Sequence, residues 1–261
     1  MRALAAFTLL LAACAGSEAT QSPSTEAPIE AVSTTIGAET TTTATTSSTP
    51  TAPSTATTAP PPDTTTAPLV VTSPGWYEAE QLQVHIRFDS RVDDVSTAEL
   101  SEQAIATLND AGGWNESGFT FVADESSELM VVLAEGDVVD ALCLPLDTFG
   151  KVSCQNGAVV ALNADRWRSG GDDWDGTVES YRVYLVNHEV GHLIGLRHPI
   201  ERCPTDSKIS ALMEPQTNNL LDCTGNGIPL DWELVWARQR PAFVGPKPDW
   251  DGPRPGWPTG S

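Results

Sequence analysis

The sequence predicts an α+β or α/β sandwich. Four short strand-like segments come first, one amphipathic helix interrupts them, and a long, broadly apolar helix follows. Strands gathered ahead of a helix buried on most of its sides imply a sheet with that helix packed against it.

Gln81 to Phe88 alternates Leu82, Val84, Ile86 and Phe88 against polar neighbours, the pattern of a half-buried strand. Ser96 to Asn109 reads as a helix. Ser96 is its N-cap, Leu100, Ala104, Ile105 and Leu108 form one stripe, and Gly112-Gly113 stops it. Phe119 to Ala123 is a short strand. Glu128 to Ala134 holds an unbroken apolar run of strand length, the mark of an interior strand. Asp140 to Cys154 reads as a loop or hairpin held by its cysteines, and Ala158 to Leu162 as a further strand, a candidate sheet edge. Thr177 then caps a long helix to Ile194. Glu179 lies in its first turn, where the helix dipole favours a carboxylate, and its apolar residues lie on more than one face.

The folding region is only part of the 261 residues. Residues 1–13 read as an export signal: Arg2 precedes an apolar run too short to span a bilayer, which needs about 20 residues. Leu11-Ala12-Ala13-Cys14 resembles the bacterial lipobox, which makes Cys14 a lipidation site and places the protein on the outer face of the cell membrane. An ordinary secretory signal is the alternative. Residues 14–73 are rich in Thr, Ser, Ala and Pro, and their apolar side chains are too sparse to offset backbone ordering, so they read as a disordered stalk. Residues 74–240 form one domain of ordinary size, and 241–261 a Pro/Gly-rich tail.

The net charge of −21 argues against a nucleic-acid partner, because neutralising phosphates takes a basic patch. Apart from Cys14, four cysteines remain, an even set that suits an oxidising compartment. Three pairings are open. The connectivity made of the two local pairs, Cys143–Cys154 and Cys203–Cys223, is favoured over the other two, and a cysteine metal site is disfavoured because no C-x-x-C pair is present.

The chemistry concentrates in His188-Glu189-Val190-Gly191-His192-Leu193-Ile194-Gly195-Leu196-Arg197-His198. Residues four apart share a helix face, so His188 and His192 point two imidazoles at one ion. Glu189, one position round, stands beside the metal as general base. Gly195 ends the helix in a left-handed conformation, and the chain turns to bring in His198. Three ligands from two directions leave a fourth position for water, as catalytic zinc requires. Five such fixed residues arise by chance with a probability on the order of 10⁻⁵. Gly191 inside the helix costs about 1 kcal/mol relative to alanine, a cost that makes sense where something approaches closely. His85, mid-strand, is given no role.

This stretch resembles the metzincin clan of zinc endopeptidases, whose H-E-x-x-H-x-x-G-x-x-H pattern it matches at 188–198. The resemblance implies a small, mixed, mostly parallel twisted sheet with two main helices, an active-site helix and a methionine-turn subdomain. Met213, in Ser210-Ala211-Leu212-Met213-Glu214-Pro215, takes the place of the methionine that floors the three ligands. The blocks Tyr181 to Asn187, Cys203-Pro204, Leu212-Met213, Gln216-Thr217 and Asn163 to Trp167 are similar to an uncharacterised actinobacterial exported family predicted to be metallopeptidases. The tyrosine that several metzincins carry after the methionine is replaced by Glu214-Pro215, so no oxyanion stabiliser is assigned.

The expectation is therefore a Zn²⁺-dependent hydrolase of protein or peptide at the cell envelope. Its rivals are hydrolysis of cell-wall peptide and a non-catalytic, zinc-stabilised binding module on the stalk. A purely structural metal site generally has four protein ligands and no need of Glu189.

Overall fold

A computed structural model describes residues 67–199, 208–217, 220 and 222–245. The predicted signal, Cys14, most of the predicted stalk, Cys203 and the predicted tail beyond Gly245 lie outside the described residues.

The domain is mixed α/β, with a mostly parallel sheet. Its strands are β1 (Leu69–Val71), β3 (Leu82–Ser90), β4 (Phe119–Ala123), β5 (Met130–Ala134), β6 (Cys154–Asn156) and β7 (Val159–Asn163), in the order β1-β3-β5-β7-β6 with β4 also on β3. Every pairing is parallel except that of β6 with β7. β3 is long enough to pair β1 and β4 along its first half and β5 along its second. A separate two-stranded sheet joins β2 (Gly75–Tyr77) to β8 (Ala242–Val244).

Alternation in β3 buries Leu82, Val84, Ile86 and Phe88. Against them packs α1 (Thr97–Leu108), through Leu100, Ala104 and Leu108, and the long α4 (Val178–Leu193) lies against α1 and β7 in the same core. Ser96 caps α1 through a reciprocal pair with Glu99: the Glu99 amide donates to Ser96 Oγ, and the Ser96 amide to the Glu99 carboxylate. Thr177 caps α4 by accepting from the Ser180 amide. From Tyr184 to Gly191 every residue of α4 is buried, which explains its lack of a polar face. The other sheet face carries Val132, Ala134 and Ala161, covered by α2 (Gly136–Cys143).

Several expectations change. The segment from Asp140 is not a loop at its start; it is the last turn of α2, whose Val139 and Cys143 face the sheet. The predicted edge strand is interior, since β7 is paired on both sides, and the edge is β6. The unbroken Val159-Val160-Ala161-Leu162 run carries the same interior signature as β5. Strand β1 falls inside the predicted stalk, and β8 inside the predicted tail. The first is drawn in by pairing with β3, and the second by pairing with β2, where Trp76 meets Phe243 at 4.8 Å. Helices α3 (Ala164–Ser169) and α5 (Asp231–Ala237) and a 3-10 turn at Trp114–Ser117 complete the domain.

The Cys143–Cys154 disulfide is formed and ties the end of α2 to β6. Cys223 is disulfide-bonded, while the pairing expected for it, Cys203–Cys223, lies outside the described residues. Among the described residues, no helix is long and apolar enough to cross a membrane.

Candidate metal centre

His188 and His192 lie one turn apart on α4, and His198 arrives from the segment after it. The turn between them is made at Gly195, whose φ of +93° is the left-handed geometry that L side chains resist. The Leu196 amide donates back to Gly191 O at 2.9 Å, closing the helix end.

The three Nε2 atoms lie 3.2 Å (188–192), 3.1 Å (192–198) and 3.4 Å (188–198) apart. Zn–N bonds of 2.0–2.1 Å in a tetrahedron put neighbouring nitrogens about 3.3 Å apart. The second nitrogens decide what these contacts are. Nδ1 of His188 lies 2.8 Å from Leu212 O and that of His192 3.0 Å from Leu196 O. A carbonyl only accepts, so both Nδ1 atoms carry the proton and both Nε2 atoms, when neutral, present bare lone pairs. Two bare nitrogens at 3.2 Å cannot hydrogen-bond to each other. A cation between them removes the repulsion. The three histidines can therefore hold a metal ion.

Glu189, next to His188 in the chain, is buried, and burial pushes its carboxyl up to about 8. The His188 ring is buried too. Burial, then the His198 charge, pushes its pKa down to about 3, and His192 is lowered for the same first reason. Tyr184 packs its ring 5.1 Å from His188. Its hydroxyl donates to Glu214 O and accepts from the Gln216 amide, binding the helix to the segment after Met213.

Met213 is fully buried and lies against α4 where Gly191 lacks a side chain: a Cβ there would stand 2.4 Å from Met213 Sδ and 3.0 Å from Trp114 Cζ2. The close approach expected at Gly191 is thus that of Met213 and Trp114. Trp114 also donates its indole N–H to Asn187 O at 3.2 Å.

Glu233 had no part in the sequence reading. It is wholly buried at the start of α5 and accepts from the amides of Met213 (2.8 Å), Leu212 (3.0 Å) and Leu230 (2.8 Å). Burial pushes its carboxyl up to about 7, against the pull of these three donors. A signal was available: Asp231 and Glu233 open an apolar Leu234-Val235-Trp236-Ala237 run, as in a helix first turn. His85 pairs with Asp124 at 2.8 Å on the far face of β3.

These shifts set the pH response of the metal-free domain. His188 titrates near 3 folded and 6.5 unfolded, so the unfolded chain gains protons between those values and stability falls as pH drops through that window. Glu189 works the other way. It titrates near 8 folded and 4.5 unfolded, so its neutral form supports the fold until pH rises from 4.5 to 8. Urea midpoints measured in chelator are expected to fall more steeply between pH 6.5 and 4 for wild type than for His188→Gln. Equal slopes would reject the buried, neutral imidazole.

Fold and site together define a mixed α/β domain whose long helix presents two members of a three-histidine cluster able to hold a metal ion. The chain belongs to the family described as Protein of unknown function (DUF3152), which matches residues 81–238, from the start of β3 to just past α5. No curated protein matches the chain.

Proposed function

We propose that this protein is a metzincin-type zinc metallopeptidase, exported and anchored at the cell envelope through Cys14, that cleaves peptide bonds in proteins or peptides. The observation that carries the reading is the triangle of Nε2 atoms 3.1–3.4 Å on a side, with the buried Glu189 one position from His188 on the same helix.

His188, His192 and His198 are the residues that hold the ion, each through Nε2. Zinc held there would supply a Lewis acid able to lower the pKa of a water molecule. The Nδ1–H bonds to Leu212 O and Leu196 O fix the tautomer and ring angle of two ligands in advance. Glu189 accepts the proton of the attacking water and delivers it to the departing amine nitrogen. A cation held by the three histidines would draw its pKa down from the metal-free value and make the carboxylate form available near neutrality. Met213, walled in by Trp114 and the Gly191 backbone, supports the helix between its two ligands. The edge strand β6 offers main-chain groups to which an extended peptide can add.

Metal analysis of the purified chain is expected to give one zinc per molecule. Cleavage of a peptide library is expected to stop with chelator and return with zinc. Casein-like proteins and peptidoglycan, assayed side by side, separate protein cleavage from cell-wall hydrolysis. A zinc-loaded domain inert on every substrate would favour a binding module.

A further inference from the structure

We infer that Glu233 is a positioning residue for the metal centre, acting on His188 through the peptide unit between Leu212 and Met213. The inference rests on the reading of His188 as a metal ligand.

One amide plane joins Glu233 to His188. Its N–H, on Met213, donates to Glu233 Oε1 at 2.8 Å, and its C=O, on Leu212, accepts from His188 Nδ1 at 2.8 Å. A trans peptide is planar and conjugated, with N–H and C=O pointing in opposite directions. Carboxylate, peptide and imidazole therefore stand in series. Negative charge at the N–H end draws the amide proton outward and loads electron density on the carbonyl oxygen. The stronger acceptor draws the Nδ1 proton in turn and leaves Nε2 a better donor to a cation. Hydrogen bonds in series polarise one another in this way, and the effect is largest where water is excluded.

In many metal sites a carboxylate bonds the ligand imidazole directly, raising its basicity and fixing its orientation. Here a peptide unit is inserted between the two. Burial suits the arrangement, since both Glu233 and Leu212 are fully shielded. Glu233 also holds the Leu212 and Leu230 amides through its second oxygen, at 3.0 and 2.8 Å, so its carboxylate is fixed on both sides and cannot rotate away from Met213.

The test uses the full chain at pH 8, where the carboxyl, set near 7, is mostly ionised. Zinc affinity is measured by chelator competition for wild type and Glu233→Gln, with thermal unfolding of the metal-free forms as the check on folding. Glutamine keeps the size, removes the charge and turns an N–H₂ toward one of the three amides. Zinc binding is expected to weaken by about 10- to 100-fold in a variant that still unfolds cooperatively. A role confined to starting α5 lowers thermal stability without moving zinc affinity in the folded protein, so equal affinities overturn the inference. If Glu233→Gln does not fold, NMR of the metal-free wild type decides. The Met213 amide proton and the His188 Nδ1 proton are expected far downfield and slow to exchange; an ordinary Met213 amide shift overturns the inference. If wild type binds no zinc, the metal-site reading fails, and the NMR measurement still reports on the hydrogen-bond series.

Discussion

Glu189→Gln is expected to keep its zinc and lose its peptidase activity by about 10²- to 10⁴-fold, the range that a positioned general acid–base supplies. Metal is retained because the Nε2 triangle is built from the three histidines, and the Nδ1 anchors of His188 and His192 run to the Leu212 and Leu196 carbonyls, not to Glu189. Glutamine has the same shape but cannot take up a proton, so the lost step is proton transfer and not packing. A second readout separates the chemistry from a folding defect. Metal-free wild type keeps Glu189 protonated up to about pH 8, whereas the unfolded chain ionises near 4.5, so raising the pH between these values costs stability. The glutamine variant lacks that penalty and is expected to be at least as stable as wild type at pH 8 without metal. The measurements are zinc content, kcat/KM on the best library peptide, and urea midpoints in chelator. A folded, zinc-loaded variant cleaving at the wild-type rate would remove Glu189 from the mechanism.

What the sequence disclosed follows from how locally each feature is encoded. The histidines, Glu189 and the reversing Gly195 sit within eleven residues, so helix periodicity places His188, Glu189 and His192 relative to one another and the turn at Gly195 brings in His198. The caps at Ser96 and Thr177 are equally local, being set by side chains reaching three residues onward. The misplaced elements depend on distant partners. Leu69-Val70-Val71 becomes a strand only because β3 leaves its side open, and Ala242-Phe243-Val244 only because Gly75–Tyr77 waits across more than 160 positions. The edge assignment failed for a related reason: whether β7 is paired on both sides depends on Cys154–Asn156 folding back as β6. Glu233 shows the limit most clearly. Its helix position is legible, but its bonds to Leu212 and Met213 span about twenty residues and exist only once the domain has closed.

Gly191→Ala is the second large effect, and its sign is the informative part. At an exposed helix position the change stabilises by about 1 kcal/mol, because glycine has more backbone entropy to lose. Here the added methyl lands 2.4 Å from Met213 Sδ, with Met213 Cε at 3.1 Å and Trp114 Cζ2 at 3.0 Å. Met213 has a flexible thioether, which elsewhere lets such a clash relax cheaply. It is fully buried here, and its backbone is held at the amide by Glu233. Trp114 is also fully buried and tied to Asn187 O. With both walls fixed, overpacking outweighs the propensity gain, and a net loss of about 2 kcal/mol is expected. Met213→Leu removes the terminal methyl reach at nearly constant volume and alone costs less than about 1.5 kcal/mol. If the clash is with Met213, the two changes couple favourably, and the double variant is expected to recover about 0.5–3 kcal/mol relative to the sum of the single losses. Urea unfolding of the four metal-free proteins completes the cycle. A stabilised Gly191→Ala, or a cycle with no coupling, would mean that the helix and the segment around Met213 are not packed at this contact, and that the methionine does not support the ligand helix.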